Sequence, residues 1–178
     1  MERAGDVVIT SKSSSVSVAG VEARSLTVSS QSGSITFEDM SKQYADRFIK
    51  VSNSSGSTKL GSSLFSPSVD VKSLSGSLWF TVATTATQLK FKNSSGSMVG
   101  DVEYADKVIS NSTYENSSGS LNVKMKVWTG FLTADSSSGS KHVEGRGLEK
   151  WDDGWKKGDG GSKAMFATQS GSIRIEVL

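Results

Sequence analysis

Seven times the chain writes Ser-Gly-Ser, and each time the residues around the glycine repeat in one register. The glycines are Gly33, Gly56, Gly76, Gly96, Gly119, Gly139 and Gly171; "KSSSVSV" supplies an eighth copy with Ser14 in the glycine's place. Successive steps are 19, 23, 20, 20, 23, 20 and 32 residues. A recurring period in this range marks a repeat architecture. Seven and five residues before the glycine stand apolar pairs such as Val7/Ile9, Leu26/Val28, Ile49/Val51 and Leu89/Phe91. Two and four residues after it stand Val16/Val18, Ile35/Phe37, Leu78/Phe80 and Ile173/Ile175, among others. Across all eight copies only Thr58, Gly100, Ser112 and Lys141 break this pattern. A disordered linker has no reason to hold such a register.

Each flank alternates with period two, the mark of a strand with one buried face. From five before the glycine to two after it is seven residues, an odd number. The alternation therefore changes phase, and both flanks can face one core only if the chain bends between them. Glycine suits that bend because it lacks the Cβ that clashes at positive φ. Each unit reads as strand, glycine corner, strand and a return segment. Units of about 20 residues stacked at a strand spacing of about 4.8 Å form an all-β, single-stranded β-solenoid (a β-helix) of about eight rungs. Residues 1–178 are expected to make one such domain.

Serine, roughly a fifth of the chain, then has a structural place. It occupies the positions directly before and after the glycine in all eight copies, from Ser13 and Ser15 to Ser170 and Ser172. Three residues before the glycine come Ser11, Ser30, Asn53, Ser73, Asn93, Asn116, Ser136 and Thr168. Stacked, these small polar groups can bond rung to rung and satisfy backbone groups at the corner. Asn53, Asn93, Asn111 and Asn116 also begin Asn-x-Ser/Thr glycosylation sequences. Three of them fall on the corner column, where a ladder already accounts for the asparagine.

The long final step carries an inserted loop before the last rung, 144–163, "EGRGLEKWDDGWKKGDGGSK". Insertions in repeat proteins map to loops, and loops on rigid scaffolds often bind ligands. Trp151 and Trp155 could stack on a sugar while Asp152, Asp153 and Asp159 bond its hydroxyls. The plainer alternative folds the two indoles over the side or end of the solenoid. "GDGGSK" lacks the Gly-Lys-Ser/Thr ending of a phosphate loop.

Other chemistry is thin. With no cysteine and one histidine, His142, the chain lacks the usual zinc sets and Ser-His or Cys-His catalytic pairs. His142 is expected on the surface, and Asp70, Glu115, Asp135 and Glu176 occupy different template positions. No cofactor is expected. A net charge of +2 gives no footprint for nucleic acid. No apolar run approaches the ~20 residues that cross a bilayer, and the start lacks a basic-then-apolar leader. Both ends lie inside strands, so the expectation is a piece of a longer chain or end-to-end self-association.

The repeated strand–Ser-Gly-Ser–strand units, ending in "GDGGSKAMFATQSGSIRIEVL", resemble an adhesin-type family of unknown function. The resemblance runs from Val7 to Val177. It implies a single-stranded β-solenoid found on extracellular or membrane-anchored proteins, and it supplies no catalytic residues. Many bacterial members read Ser-Gly-Asp where this chain reads Ser-Gly-Ser, which points to a fungal-like variant. The expectation is a non-enzymatic structural or adhesive domain, extracellular or at the cell surface, meeting a surface glycan or protein. Its rivals are a carbohydrate-binding or carbohydrate-active solenoid using Trp151, Trp155 and the nearby acids, and an ice-binding solenoid. The mixed outward residues Thr27, Lys50, Asp70 and Lys90 weigh against the last of these.

Overall fold

The structure is a computed structural model that describes residues 4–38, 41–106 and 108–178. Strands and connecting turns, without helix, make up the described residues. In chain order the strands are β1 (Ala4–Ser11), β2 (Val16–Val18), β3 (Glu22–Ser30), β4 (Ile35–Phe37), β5 (Lys42–Asn53), β6 (Thr58–Leu60) and β7 (Ser63–Phe65). Next come β8 (Ser68–Ser73), β9 (Leu78–Thr84), β10 (Gln88–Ser95), β11 (Met98–Tyr104), β12 (Asn111–Ser118) and β13 (Leu121–Lys126). The last are β14 (Gly130–Ser138), β15 (Lys141–Gly145), β16 (Leu148–Trp151), β17 (Gly154–Lys157), β18 (Ser162–Ser170) and β19 (Ile173–Val177).

The strands before the corners form one parallel stack and the strands after them a second. The first runs β1–β3–β5–β8–β10–β12–β18–β14. The second runs β2–β4–β6–β9–β11–β13–β19–β15. The chain thus winds as an all-β, β-helical repeat, with equivalent residues in register from unit to unit. One feature differs from simple succession. The unit β18–β19, last of the repeats in sequence, lies between β12–β13 and β14–β15.

The corners report the same order twice more. Their glycines take φ from 99° at Gly96 to 139° at Gly139, a region that excludes most side chains. Each glycine also faces a neighbouring carbonyl. A Cβ on Gly56 would stand 2.6 Å from the Gly33 oxygen. One on Gly171 would strike the Gly119 oxygen, and one on Gly139 the Gly171 oxygen. No described strand lies on that side of Ser14, so the first copy tolerates a side chain. The serines before the glycines donate from Oγ to a carbonyl of the preceding unit in the stack: Ser32 to Lys12 (2.9 Å), Ser75 to Ser54 (3.1 Å), Ser170 to Ser117 (3.4 Å) and Ser138 to Gln169 (3.2 Å).

The apolar pairs of both stacks meet in one core, including Leu26, Val28, Ile49, Val51, Leu78 and Ile175, each fully buried. A file of rings runs through it: Phe91 over Tyr114 (centroids 5.6 Å) and Tyr114 over Phe166 (4.6 Å). The four exceptions to the apolar pattern have local causes. Thr58 is buried and accepts from Asn53 Nδ2 at 3.3 Å. Ser112 lies 2.7 Å from the Tyr104 hydroxyl, which is also 2.8 Å from that of Tyr114. Gly100 leaves room for Phe80, whose Cδ2 would be 2.5 Å from an added Cβ. Lys141 sits on the outermost strand, exposed.

Reaching its place costs the chain two irregular connections. Between β13 and β14 the backbone must step past the slot that β18–β19 will fill, about 9.6 Å rather than one strand spacing. Val127, in that connection, adopts φ 55°, which a β-branched residue rarely does. The return connection, residues 158–161, passes against Thr129 so closely that a Cβ on Gly160 would strike the Thr129 hydroxyl. The glycines of "GDGGSK" therefore serve a chain crossing.

Candidate functional site

The inserted segment 144–163 folds as strands, and only its turns are loop. Glu144 and Gly145 finish β15, and Ser162 and Lys163 begin β18. Between them β16 and β17 form an antiparallel hairpin with Lys150 opposite Trp155 and Trp151 opposite Gly154. β17 continues antiparallel onto β14, pairing Lys157 with Gly130, Lys156 with Phe131 and Trp155 with Leu132. The hairpin thereby covers the edge of the first stack that β14 would otherwise leave unpaired, a recurrent way of blunting sheet edges. β15, in the second stack, receives no such cover.

Strand alternation decides what the tryptophans can do. Directly opposed residues share a face, and neighbours along a strand do not. Trp155 and Lys150 thus lie on one face, Trp151 and Gly154 on the other. Trp155 is half-buried against the core, with Lys150 Nζ 4.2 Å from its ring centre. Trp151 is 57% exposed, with Lys156 Nζ at 5.4 Å. The two indoles cannot stack on a single sugar ring. Asp152 and Asp153 form the exposed turn, Asp152 at φ 49°, a left-handed value that Asp tolerates. Asp159 is bound to Lys156 at 3.4 Å. The five residues proposed from sequence therefore spread over two faces and a tip. The outer face instead joins Trp151 with Phe131, a residue the sequence did not single out. The Phe131 ring lies against Gly154, where its Cζ would be 2.7 Å from an added Cβ.

Charged side chains on the outer surface pair between neighbouring units. Asp6 takes Arg24 Nη2 at 2.7 Å and the Ser25 hydroxyl at 2.6 Å, and these bonds hold its carboxyl well below the usual range. Lys92 meets Glu115 at 2.9 Å and Lys124 meets Glu176 at 3.0 Å. His142 is a surface residue whose Nε2 lies 3.3 Å from Glu144; Arg174 reaches the same carboxylate at 3.2 Å. The histidine and then the arginine lower the Glu144 pKa. Asp70, Glu115, Asp135 and Glu176 pair with separate lysines. No group of three or more His, Asp or Glu converges among the described residues.

The corner asparagines turn inward. Asn53, Asn93 and Asn116 are buried, and their Nδ2 atoms donate to corner carbonyls at 3.1 Å, Gly56 for the first and Gly96 for the other two. None of the three can present its amide to a glycosylating enzyme. Asn111, at the start of β12, is exposed.

A family model described as Toastrack DUF4097 matches residues 2–99, which lie within the serially stacked stretch that runs to Lys126. No curated protein and no solved structure matches the chain.

Proposed function

The chain belongs to the Toastrack DUF4097 family, and from that membership we propose a non-enzymatic structural or adhesive β-solenoid of eight single-stranded rungs, working outside the cell or at its surface. The observation that carries this reading is the fate of the insertion. Of its best candidates for chemistry, Trp155 goes into covering the last rung and Asp159 pairs with Lys156, while Trp151, Asp152 and Asp153 are scattered over the opposite face and the tip and do not converge. What remains on display is an outer surface of paired charges and hydroxyls, with single apolar side chains such as Leu74 and Trp79 among them, over a continuous apolar core. Serine in place of aspartate at the corners supports the fungal-like variant.

A second reading, carbohydrate binding, keeps one supporting observation. Trp151 and Phe131 lie on the same outward face, with the Phe131 ring resting against Gly154. Aromatic faces of this kind stack on sugar rings. One experiment separates the readings. The immobilised chain is presented to a glycan array and to a panel of surface proteins, with Trp151→Ala alongside, and polysaccharides are assayed for new reducing ends. Adhesion that survives Trp151→Ala supports the scaffold, and glycan binding lost in that variant supports the lectin. Release of reducing ends would overturn the non-enzymatic assignment.

A further inference from the structure

We infer that Asn111 is an N-glycosylation site, the one place among the chain's four Asn-x-Ser/Thr sequences where the fold accepts a sugar chain. The inference rests on the extracellular placement proposed above, because N-glycosylation marks chains that pass through a secretory compartment. The step is a group transfer from an oligosaccharide carried on a polyprenyl diphosphate. Asn111 Nδ2 attacks C1 of the sugar, the N–C1 bond forms, and the bond from C1 to the diphosphate oxygen breaks. One amide proton is released as the diphosphate leaves.

The fold acts as a filter on where a sugar can stay. At Asn53, Asn93 and Asn116 the side chain is buried and its Nδ2 donates to a corner carbonyl at 3.1 Å. A sugar there would have to enter a column in which neighbouring strands stand about 4.8 Å apart. A chain modified at a corner therefore cannot complete its stack. Asn111 differs on each count. It stands eight residues before its glycine, a level at which the stacked residues run Ser68, Gln88, Asn111, Lys163 and Phe131. No ladder at this level calls for an asparagine. Its neighbour Ser112 is buried, so by strand alternation Asn111 faces outward together with Thr113, the hydroxyl residue of its own sequence. Gln88 and Lys163, level with it in the two adjacent strands, are also exposed, and both are long side chains that can move aside. The backbone is fixed on both sides, with the Asn111 N–H donating to the Thr87 carbonyl at 2.8 Å and the Lys163 N–H to that of Ser110 at 2.9 Å. A sugar on the outward amide disturbs none of these bonds.

The test secretes the full chain from yeast behind a cleavable leader and isolates the folded monomer by size exclusion. Peptide N-glycosidase then converts each sugar-bearing asparagine to aspartate, which peptide mass spectrometry locates. The expected result is aspartate at position 111 and unchanged asparagine at 53, 93 and 116. Asn111→Gln should abolish the glycan and its mobility shift entirely. If that variant does not fold, Thr113→Ala breaks the same sequence while keeping the asparagine, and the same loss is expected. The inference is overturned by folded protein without sugar at Asn111, or by folded protein bearing sugar at any of the three corner asparagines. The chain isolated from its own cells provides a second arm. Sugar at Asn111 there supports both the site and the extracellular placement. Sugar under the leader but none in the chain's own cells overturns that placement and leaves the site supported.

Discussion

Between Ala4 and Lys126 each repeat unit stacks on the one before it, whereas between Gly130 and Val177 chain order and spatial order part company. Both regions use the same corner glycine, the same serine bonds and the same inward apolar pairs. The local code settles which residues share a level and a face. It does not settle which unit sits on which, because any corner of this kind can stack on any other. The family match, which ends at residue 99, covers only the first kind of assembly.

The comparison can be broken most directly by cross-linking, where the expected contrast is all-or-none. Ser118 is level with Ser170 in the adjacent unit, and Ser138 lies one unit further on. The chain contains no cysteine. A Ser118→Cys/Ser170→Cys pair should oxidise to a disulfide, seen as a mobility shift without reductant. Ser118→Cys/Ser138→Cys should not, because two strand spacings exceed the roughly 7 Å that a disulfide can bridge. The opposite result would restore chain order.

Next in size are two core truncations. Ile175 is fully buried in β19, and Val143 is half-buried in β15. Ile175→Ala should cost about 2–5 kcal/mol in chemical denaturation, and Val143→Ala about 1 kcal/mol. Were β14–β15 interior and β18–β19 terminal, the ranking would invert. At the corners, Gly119→Ala meets both an adverse φ and the Gly96 carbonyl and should cost about 2 kcal/mol or more. Ser14→Ala, at the corner that no described strand abuts, should stay within about 0.5 kcal/mol.

The smallest effect is in pH. Burial pushes the Tyr104 hydroxyl up to about 12 and raises that of Tyr114 as well. Below about pH 10 both rings are neutral folded and unfolded, so stability is level. Above it the unfolded chain ionises first, and stability should fall as pH rises towards 12. Thermal midpoints measured from pH 8 to 11.5 should show that decline, and the Tyr104→Phe/Tyr114→Phe double variant should lose part of it.

Much of this was legible in the chain. Period and phase located the strands, the corners and the inward residues, since each follows from one alternating pattern and one glycine. The stacking order left a fainter trace. Ala134 and Lys141 are small or charged at core positions, as befits an end unit, whereas Phe166, Ile173 and Ile175 are as apolar as any interior set. Read as packing, those residues mark β14–β15 as the terminus and β18–β19 as filling. The insertion was harder to read. That Trp151 and Trp155 face opposite ways depends on the hairpin register, and a serial count of aromatic residues carries no register. The Val127–Trp128 connection has no motif at all; its conformation is imposed by the distance it must span.

The inserted unit also has a consequence for how the molecule comes into being. A ribosome delivers β14 and β15 before β18 and β19, and at about 5–20 residues per second the delay is several seconds. Throughout it, β12 and β13 present an open edge, and β14 and β15 can occupy the neighbouring place only by leaving it again. The nascent chain must hold that gap, or yield it, until the residues after the crossing emerge. Completion of this fold is therefore a timed event, set by the order of synthesis as much as by the attraction between its parts.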